Sequence, residues 1–445
     1  MAEEIIVYDA KTGQPINSKS KKDAHMEQKK AFDNKESAPH IHKHIGVMLL
    51  DMDGNLLSTI RDYEASTNPD MIDKSLGGHI SAGYDKATAI LKVASREFKI
   101  PTAIIDEPDE LRNIIFNHPE LLKHQAFITR IGYEPDSISV RKTKDGETWD
   151  ERCEQHYYAG VYDGLYSCSK GSGIRQWEWT KLKKYAEKNP DRVTADIINI
   201  IKDYDNGILD LIKTVNDSRN LERKDIAEIV QLYDLNGGWN STAIRKEVHK
   251  PIMKAFLEKK PQEFKHSHIG GMLVGKNGEI YVQIRAEDKA ENPGMYDKLV
   301  GGHIPAGDSP IGAAYHEFIE EMAIPIGLYR DSIWENILRN IPEVTQHQAI
   351  CLEPILESNF VSHRVRRNGE SFDEICDQYF VTGYYTGSFK FIDQEAAGVY
   401  QFPSRESLKS EIDEHPDKFT TDLKYMVKKF WNELQPLQER FRKAS

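Results

Sequence analysis

The sequence predicts a mixed α/β fold, and two observations support this prediction. Short apolar runs that end at turn signals indicate strands, while longer segments with apolar residues at helical spacing indicate helices. Both kinds of segment also recur about 224 residues further along the chain, so the same arrangement is expected twice. The 445 residues are enough for two or three domains with hydrophobic cores of their own.

An internal repeat sets the expected domain boundaries. The run from His44 to Leu49 returns from His268 to Leu273, an offset of 224 residues (268 − 44), and the Gly-Gly-His triplet at 77 returns at 301. We predict one domain over residues 1–204, a second over 244–445, and a helical connector over 205–243. Duplicated domains can pair as the subunits of a homodimer do, so we expect an intramolecular pseudo-dimer, with further oligomerisation left open.

Each half begins with a predicted β-hairpin and ends with a predicted helix. In the second half the hairpin strands are Ile269 to Val274 and Ile280 to Ile284, joined by the turn signal Asn277-Gly278. An apolar and aromatic run from Gln378 to Tyr385 is expected to be a later strand, and a helix is expected from Thr420 to Leu434. The corresponding first-half segments are Ile45 to Leu50, Leu56 to Ile60, Gln155 to Tyr162 and Thr194 to Asp203.

Between these elements, the second half carries a glycine-rich loop followed by an acidic helix. The loop runs from Gly301 to Asp308 and is followed by a serine and a proline, which suit a helix N-terminus. Glu317, Glu320 and Glu321 fall at i, i+3 and i+4, so their carboxylates are neighbours on one helix face. Like charges at that spacing repel one another, and a hard divalent cation such as Mg²⁺ or Mn²⁺ would offset the repulsion. A solvated acidic stripe is the alternative interpretation.

The loop and helix resemble the signature of the Nudix hydrolases, G-x5-E-x7-R-E-U-x-E-E-x-G-U, in which U is a bulky aliphatic residue. The positions that match in register are Gly302, Glu317, Phe318, Glu320, Glu321 and Ile324. Asp308, His316 and Ala323 stand where the family has glutamate, arginine and glycine. The resemblance implies two tandem α/β/α sandwich domains with mixed sheets, a metal ion held by Glu317, Glu320 and Glu321, and hydrolysis of a diphosphate linkage.

The first half keeps the glycine loop but not the acidic helix. Val93, Arg96 and Glu97 stand at the positions of the three second-half glutamates, and neither a valine nor an arginine offers the oxygen ligand that a divalent cation needs. We therefore predict that this half has no metal catalysis and is a structural partner of the other half. Binding of a regulator in its pocket is the alternative.

Within the superfamily, the second half resembles the branch that contains the isopentenyl-diphosphate isomerases and their hydrolase relatives. The resemblance lies in Gln283-Ile284-Arg285, in Lys289, in Asn292 to Asp297 and in the Gly-Gly-His triplet. In the isomerases a catalytic cysteine precedes the Gly-His pair, whereas this chain has Gly301 there. The resemblance also implies that Glu374 binds metal or serves as a general base.

Five residues of the second half are candidates for substrate binding. Arg285 and Lys289 carry charges that suit phosphate, although a structural ion pair explains Arg285 equally well because Arg61 is kept in the first half. The backbone of Gly301 and Gly302 can approach phosphates closely. His303 matches a metal-binding histidine of the isomerases, and hydrogen bonding to a loop carbonyl is its alternative role. His268 and His249 have counterparts in the first half, which favours a structural role for them.

Composition excludes several classes of protein. A net charge of −12 argues against a polymeric nucleic acid as partner, and no apolar stretch is long enough to span a membrane. The first residues lack the features of a signal peptide. Cys153, Cys168, Cys351 and Cys376 show no paired metal spacing, so we expect reduced thiols and a cytoplasmic location.

Together these observations predict a cytoplasmic, Mg²⁺- or Mn²⁺-dependent hydrolase of a small diphosphate, such as a nucleoside diphosphate derivative. Glu317, Glu320 and Glu374 are its predicted catalytic residues. Two other functions stay open: a non-catalytic sensor that binds a nucleotide or diphosphate, and an isopentenyl-diphosphate-isomerase-like enzyme, against which Gly301 argues.

Overall fold

The computed structural model describes residues 3–165, 173–220, 229–389 and 396–441. The chain divides into two compact units, Met1–Leu221 and Glu222–Ser445. Each unit combines a mixed sheet with helices, which confirms the predicted α/β class. The segment predicted as a helical connector, 205–243, contributes a helix to the first unit and strands to the second, and its residues 221–228 lie outside the described ranges.

The first unit begins with a β-hairpin and then alternates strands and helices. Its strands are β1 (Glu4–Asp9), β2 (Pro15–Ser20), β3 (His40–Leu50), β4 (Asn55–Ile60), β5 (Ile72–Asp73), β6 (Leu76–His79), β7 (Thr102–Ile104), β8 (Ala126–Lys142), β9 (Thr148–Val161) and β10 (Gly173–Glu178). Its helices are α1 (Lys21–Asp33), α2 (Lys86–Val93), α3 (Pro108–Asn117), α4 (Trp179–Lys188), α5 (Ala195–Asp203) and α6 (Asp205–Arg219). A π-helical turn, Ala94–Phe98, extends α2.

The second unit follows the same order of elements, beginning again with a β-hairpin. Its strands are β11 (Ile229–Tyr233), β12 (Trp239–Ile244), β13 (Ser267–Val274), β14 (Ile280–Arg285), β15 (Tyr296–Asp297), β16 (Val300–His303), β17 (Ile326–Tyr329), β18 (Ala349–Leu352), β19 (Ile355–Val365), β20 (Ser371–Tyr384) and β21 (Ala396–Phe402). Its helices are α7 (Arg245–Leu257), α8 (Pro310–Met322), α9 (Asp331–Asn340), α10 (Arg405–Glu414), α11 (Thr421–Lys429) and α12 (Leu437–Phe441).

The sheets of the two units have closely similar strand orders. The first runs β10-β4-β3-β9-β8-β7 and the second runs β15-β14-β13-β20-β18-β17. In each, the central pair is parallel, β3 with β9 and β13 with β20, while the predicted hairpin strands pair antiparallel. The predicted strands and hairpins of both halves are thus confirmed.

The pairing on β13 brings distant parts of the second unit together. Strand β16 lies antiparallel to β13, so that His303 is opposite His268 and Gly302 is opposite Ile269. On the other side of β13, strand β20 places Gln378 beside His268. In the first unit, β6 and β9 flank β3 in the same way, with His79 opposite His44. The Gly-Gly-His triplet therefore lies beside the central strand of each sheet.

Helix α8 has the predicted start, and its apolar face is buried. Ala314, Phe318 and Met322 are at most 1% exposed, which explains their helical spacing in the sequence. Full burial of a side chain such as Phe318 contributes about 1.5–3 kcal/mol relative to exposure. The helix ends at Ala323, which adopts a left-handed conformation with φ 49° and ψ 32°.

The last predicted helix is shorter than expected. It ends at Lys429 instead of Leu434, because Phe430 leaves the helical conformation, with φ −101° and ψ 26°. Both Phe430 and Leu434 are buried, so the chain turns at this point to place the two side chains in the core. Burial of apolar surface outweighs continuation of the local helical pattern here.

The described residues show no helix that is both long and apolar enough to cross a lipid bilayer. Cys153, Cys351 and Cys376 are buried free thiols, and burial raises the pKa of each. Cys168 lies outside the described ranges.

Candidate functional site

Helix α8 presents its three glutamates with different exposure. The side-chain oxygen of Ser309 accepts a hydrogen bond from the backbone N–H of Gly312 at 2.9 Å, which caps the helix. Glu321 is only 4% exposed, Glu317 is half-buried, and the side chain of Glu320 is 62% exposed. The sequence spacing therefore produces one buried, one intermediate and one solvent-facing carboxylate.

Two of these carboxylates contact the glycine strand β16. Glu321 Oε1 accepts a hydrogen bond from the backbone N–H of Gly301 at 3.4 Å. The carboxylate of Glu317 occupies the space where any side chain at Gly302 would lie. Glu320 pairs instead with His316, whose Nδ1 is 3.4 Å from Glu320 Oε2. His316 thus contacts one of the three glutamates of its own helix.

A buried lysine lies on the other side of the same glycines. Lys298 Nζ is 2.9 Å from Asp422 Oδ2 and 3.6 Å from Asp297 Oδ1. Burial alone lowers the pKa of Lys298, but the two aspartates outweigh burial and raise it, so the lysine is charged. A side chain at Gly301 would come within 2.5 Å of Lys298 Cε. The first unit repeats this arrangement with Lys74 between Asp73 and Asp196.

A cavity of about 390 Å³ opens beside β16 in the second unit. All five predicted substrate-contact residues line it: Arg285, Lys289, Gly301, Gly302 and His303. Its wall also contains Lys250, Lys298, Arg364 and Arg366, together with Glu291 and His249. Arg285, Lys298 and Arg364 are paired with buried carboxylates, so the argument for an anionic ligand rests on the other cationic side chains of the wall, Lys250, Lys289 and Arg366.

Arg285 has a structural role as well as a place in the cavity wall. Its Nη1 donates to Asp297 Oδ2 at 3.1 Å, and its Nε donates to the backbone carbonyl of Glu291 at 3.1 Å. Arg61 makes the equivalent ion pair with Asp73 at 3.0 Å in the first unit. The ion pair that the sequence left open is therefore present in both units.

Four histidines of the second unit cluster next to the cavity. They are His249 on α7, His266 just before β13, His268 near the start of β13, and His303 at the end of β16, and each offers a ring nitrogen within 4.8 Å of the others. His268 Nε2 is 3.0 Å from His266 Nδ1, and the His266 and His303 rings are stacked. Imidazole nitrogens in such a group suit a transition-metal ion such as zinc.

Glu374 lies beneath these histidines and is fully buried. Its Oε1 is 2.6 Å from His266 Nε2 and 3.4 Å from His249 Nε2, while its Oε2 accepts a hydrogen bond from Arg364 Nε at 3.0 Å. Burial alone raises the pKa of the Glu374 carboxyl, but Arg364 and His266 outweigh burial and hold it well below its usual value. Glu374 is thus an ionised carboxylate whose two oxygens face different partners.

His249 connects this carboxylate to a second one. Its Nδ1 is 2.9 Å from Glu291 Oε1. Burial by itself lowers the pKa of His249, but the hydrogen bonds to Glu291 and Glu374 outweigh burial and raise the pKa to about 9. In the absence of a competing cation, His249 is therefore protonated at neutral pH.

Several residues of this site were not predicted from the sequence. His266, Lys298 and Arg364 were not among the predicted residues, and Asp422 was not either. A signal for His266 was present, because His266-Ser267-His268 on a strand places both imidazoles on one face, and His42-Lys43-His44 repeats the spacing. No local pattern pairs Arg364 with Glu374 or Lys298 with Asp422.

No protein-family model matches the chain, and no curated protein matches it. Solved structures show partial likeness. The structure of DR0079 from Deinococcus radiodurans is 14% identical, with a TM-score of 0.31 over 45% of this chain and 98% of that one. A bifunctional NMN adenylyltransferase/ADP ribose pyrophosphatase from Francisella tularensis, complexed with AMP and a Mn ion, is 14% identical, with a TM-score of 0.27 over 43% of this chain and 48% of that one.

A hydrolase of the Nudix family from Clostridium perfringens is 18% identical, with a TM-score of 0.20 over 33% of this chain and 85% of that one. Likeness of this size assigns neither a family nor an activity to the chain. The functional argument therefore starts from the residues of the site.

Proposed function

We propose that the second unit is a Nudix-type hydrolase that uses Mg²⁺ or Mn²⁺ to cleave a diphosphate linkage in a small molecule. The observation that carries this proposal is the cationic cavity beside β16. The same strand contacts the acidic helix, because Gly301 donates a hydrogen bond to Glu321. A nucleoside diphosphate derivative is the substrate class we favour, and the first unit is proposed to be a structural partner.

The carboxylates of α8 fit a hard divalent cation. Glu317, Glu320 and Glu321 would supply oxygen ligands from adjacent turns of one helix, and hard cations prefer oxygen. The buried Glu321 carboxylate accepts hydrogen bonds from the backbone N–H of Gly301 at 3.4 Å and from the side chain of Gln283 at 3.5 Å. When bound, the metal would offset the charge of the phosphoryl oxygens and lower the pKa of a water molecule.

The remaining residues have roles that follow from where they lie. Arg285 and Lys289 contact the negatively charged phosphates from the cavity wall, and the Gly301-Gly302 backbone lets the phosphates approach the strand closely. Glu320 is the solvent-facing carboxylate of α8, so it is our candidate for the group that takes the proton from water. Glu374, which is buried against Arg364, orients His266 and His249.

The isomerase alternative meets a steric obstacle at residue 301. The isomerases that the second half resembles have a catalytic cysteine there, and a side chain at Gly301 would come within 2.5 Å of Lys298 Cε. Exchange of an allylic proton of a prenyl diphosphate would support this alternative in spite of the obstacle. Ligand binding without turnover would support a sensor.

The test is release of phosphate or nucleoside monophosphate from a panel of nucleoside and prenyl diphosphates with Mg²⁺ and Mn²⁺. We expect Glu321→Gln to lower kcat by at least about 100-fold, since loss of a metal ligand weakens stabilisation of the phosphoryl charge. Glu97→Gln, at the equivalent first-half position, is the matched control and should retain activity. Equal losses in both variants, or no turnover of any compound, would contradict the proposal.

Two further parts of the proposal concern the setting of the enzyme. We propose that the sequence repeat reflects a tandem duplication whose halves pair as an intramolecular pseudo-dimer. Separate expression of residues 1–221 and 222–445, followed by light scattering of the mixture, tests this pairing. A cytoplasmic location is proposed because the buried thiols need no oxidising compartment.

A further inference from the structure

The cationic side chains of the second-unit cavity fall into two groups when they are compared with the first unit. The first group is shared: Arg285, Lys298 and Arg364 correspond to Arg61, Lys74 and Arg141. In both units each of these cations forms an ion pair with a buried carboxylate. The shared group therefore belongs to the framework that the two units have in common.

The second group is cationic in the second unit alone. It consists of Lys250, Lys289 and Arg366, which line the cavity, and the first unit has Met26, Ala65 and Thr143 at the equivalent positions. The unit with the acidic helix thus carries three positive charges that the fold of the other unit does not require. These charges are therefore better explained by a ligand of the cavity than by folding.

The fold gathers the second group around one residue of the cavity wall, Glu291. Lys250 directly follows His249 on α7, and His249 Nδ1 is 2.9 Å from Glu291 Oε1. Arg366 lies opposite Glu291 in an isolated antiparallel bridge, and Lys289 precedes Glu291 by two residues in the same loop. The protonated ring of His249 already compensates the charge of the Glu291 carboxylate. The three cations therefore belong to one part of the cavity wall.

Lys250 and Arg366 have little compensation from acidic side chains. Lys250 is exposed and forms no ion pair with a carboxylate among the residues that the structure describes. Arg366 Nη1 is 4.0 Å from Glu370 Oε2, and the two side chains are 37% and 53% exposed. Exposed ion pairs of this kind contribute little. An anion that enters the cavity would therefore be attracted by both cations.

The cavity has room for more than a diphosphate. Its volume is about 390 Å³, and cavities of roughly 300–1,000 Å³ hold ligands of drug size. In the proposed function the diphosphate lies against β16 and is contacted by Arg285 and Lys289. Lys250 and Arg366 belong to neither β14 nor β16, which leaves them to the part of the substrate beyond the cleaved linkage.

We propose that Lys250 and Arg366 bind a phosphate monoester that the substrate carries in addition to the diphosphate linkage that is cleaved. A phosphate monoester has a charge of roughly −1.5 to −2 at pH 7, which two cations match, whereas a carboxylate would match only one. Arginine also offers paired donors that fit phosphate oxygens. This inference rests on the proposed hydrolase function and narrows its substrate class. A prenyl diphosphate lacks the second anionic group and falls outside this class.

The first experiment compares substrates that differ by one phosphate monoester. NADP is paired with NAD, and coenzyme A with dephospho-coenzyme A, because all four compounds contain a diphosphate linkage and each pair differs only in the monoester. We expect the phosphorylated member of at least one pair to have a kcat/KM at least about 10-fold higher, since a hydrogen bond to a charged group can supply a factor of that size. Equal kcat/KM values within both pairs would overturn the proposal.

The second experiment exchanges the two cations for the first-unit residues. Neither side chain is buried, so the variant Lys250→Met/Arg366→Thr should keep the fold, which circular dichroism checks. We expect it to lose the preference for the phosphorylated substrate through a higher KM, with kcat unchanged. Lys254→Met, on the same helix but outside the cavity wall, is the control and should keep the preference. A preference that survives in the double variant would refute the role of Lys250 and Arg366.

Calorimetry with the same compounds separates this proposal from the hydrolase proposal. Turnover without preference for the phosphorylated compounds would overturn the monoester site alone. If no compound is hydrolysed, the hydrolase proposal fails, and the binding affinities within each pair still test the monoester site. Tighter binding of the phosphorylated member, lost in the double variant, would then support the site, and equal affinities would overturn it.

Discussion

The carboxylate of Glu317 lies against strand β16 in space that exists only because residue 302 is glycine, since a Cβ atom there would overlap Glu317 Oε1. In the first unit the facing residue is a valine, and a Cβ atom on Gly78 would lie 3.3 Å from Val93 Cγ2. Gly78 and Gly302 occupy equivalent positions of the repeat, but Gly302 makes room for a carboxylate and Gly78 faces a valine.

We predict that Gly302→Ala lowers kcat for diphosphate hydrolysis by about 10-fold or more, because the new methyl group displaces the Glu317 carboxylate from its position. Gly78→Ala is the matched control and should leave kcat near the wild-type value, since a small shift of Val93 accommodates the methyl group. Steady-state kinetics with the substrate found in the panel measures both variants. Equal kcat in Gly302→Ala and wild type would show that Glu317 needs no such placement.

The left-handed end of helix α8 predicts a stabilising substitution. Ala323 has φ 49°, a conformation that costs an L-residue roughly 1 kcal/mol more than glycine. Ala323→Gly should therefore raise the free energy of unfolding by about 1 kcal/mol, measured by urea denaturation. Ala313→Gly, within the same helix, should lower it by about 1 kcal/mol or more. The same sign for both variants would contradict the argument.

The buried ion pair between Arg364 and Glu374 predicts a large loss of stability. Arg364→Met leaves an ionised carboxylate in the core without its guanidinium partner, and we expect a loss of about 3–5 kcal/mol in the free energy of unfolding. The double variant Arg364→Met/Glu374→Gln should be more stable than the single variant, because the buried charge that lost its arginine partner is then absent. Urea denaturation of metal-free protein measures both, and a double variant no better than the single one would refute this account.

His249 predicts a pH dependence of stability in metal-free protein. Its folded-state pKa of about 9 lies above the ordinary value of 6.5, so the protonated ring stabilises the fold. This contribution is complete below pH 6.5 and is lost as pH rises through 9. His249→Gln and Glu291→Gln should both flatten the decline of Tm across that interval. An unchanged decline in both variants would assign it to other groups.

Variants of the equivalent arginines Arg285 and Arg61 distinguish a role in substrate binding from a structural role. Arg285→Ala should raise KM for the diphosphate substrate by roughly 10-fold, because Arg285 lines the cationic cavity. Arg61→Ala removes the equivalent ion pair in the first unit and should lower stability without changing KM. If both variants changed KM alike, Arg285 would act through folding alone.

Local sequence signals predicted the elements that depend on neighbouring residues. The hairpin of β13 and β14 and the start of α8 followed from a turn dipeptide and a capping pattern. The β11–β12 hairpin fell within the predicted connector, although Asn236-Gly237 marks its turn. A hairpin of two short strands is only marginally stable on its own. Here Val230 and Leu232 pack with Phe372 of the distant strand β20, and no local sequence pattern reveals that contact.

The site was predictable to the same limited extent. The five predicted substrate contacts line one cavity because they flank adjacent strands, but their role in binding stays a prediction. The partners that set their electrostatics come from far along the chain: Arg364 is 96 residues from His268, and Asp422 is 124 residues from Lys298. Such pairs depend on how distant strands and helices pack together, which the sequence alone did not provide.

The lysine that passes beneath the glycine strand changes what a retained glycine means. Side chains at Gly46 or Gly77 would collide with Lys74, as side chains at Gly270 or Gly301 would collide with Lys298. A side chain at these positions would force the buried, ion-paired lysine to shift, whether or not a phosphate ever approaches. Packing against Lys74 is therefore enough to explain why the first unit has glycines at these positions, and nucleotide binding is not needed to explain them.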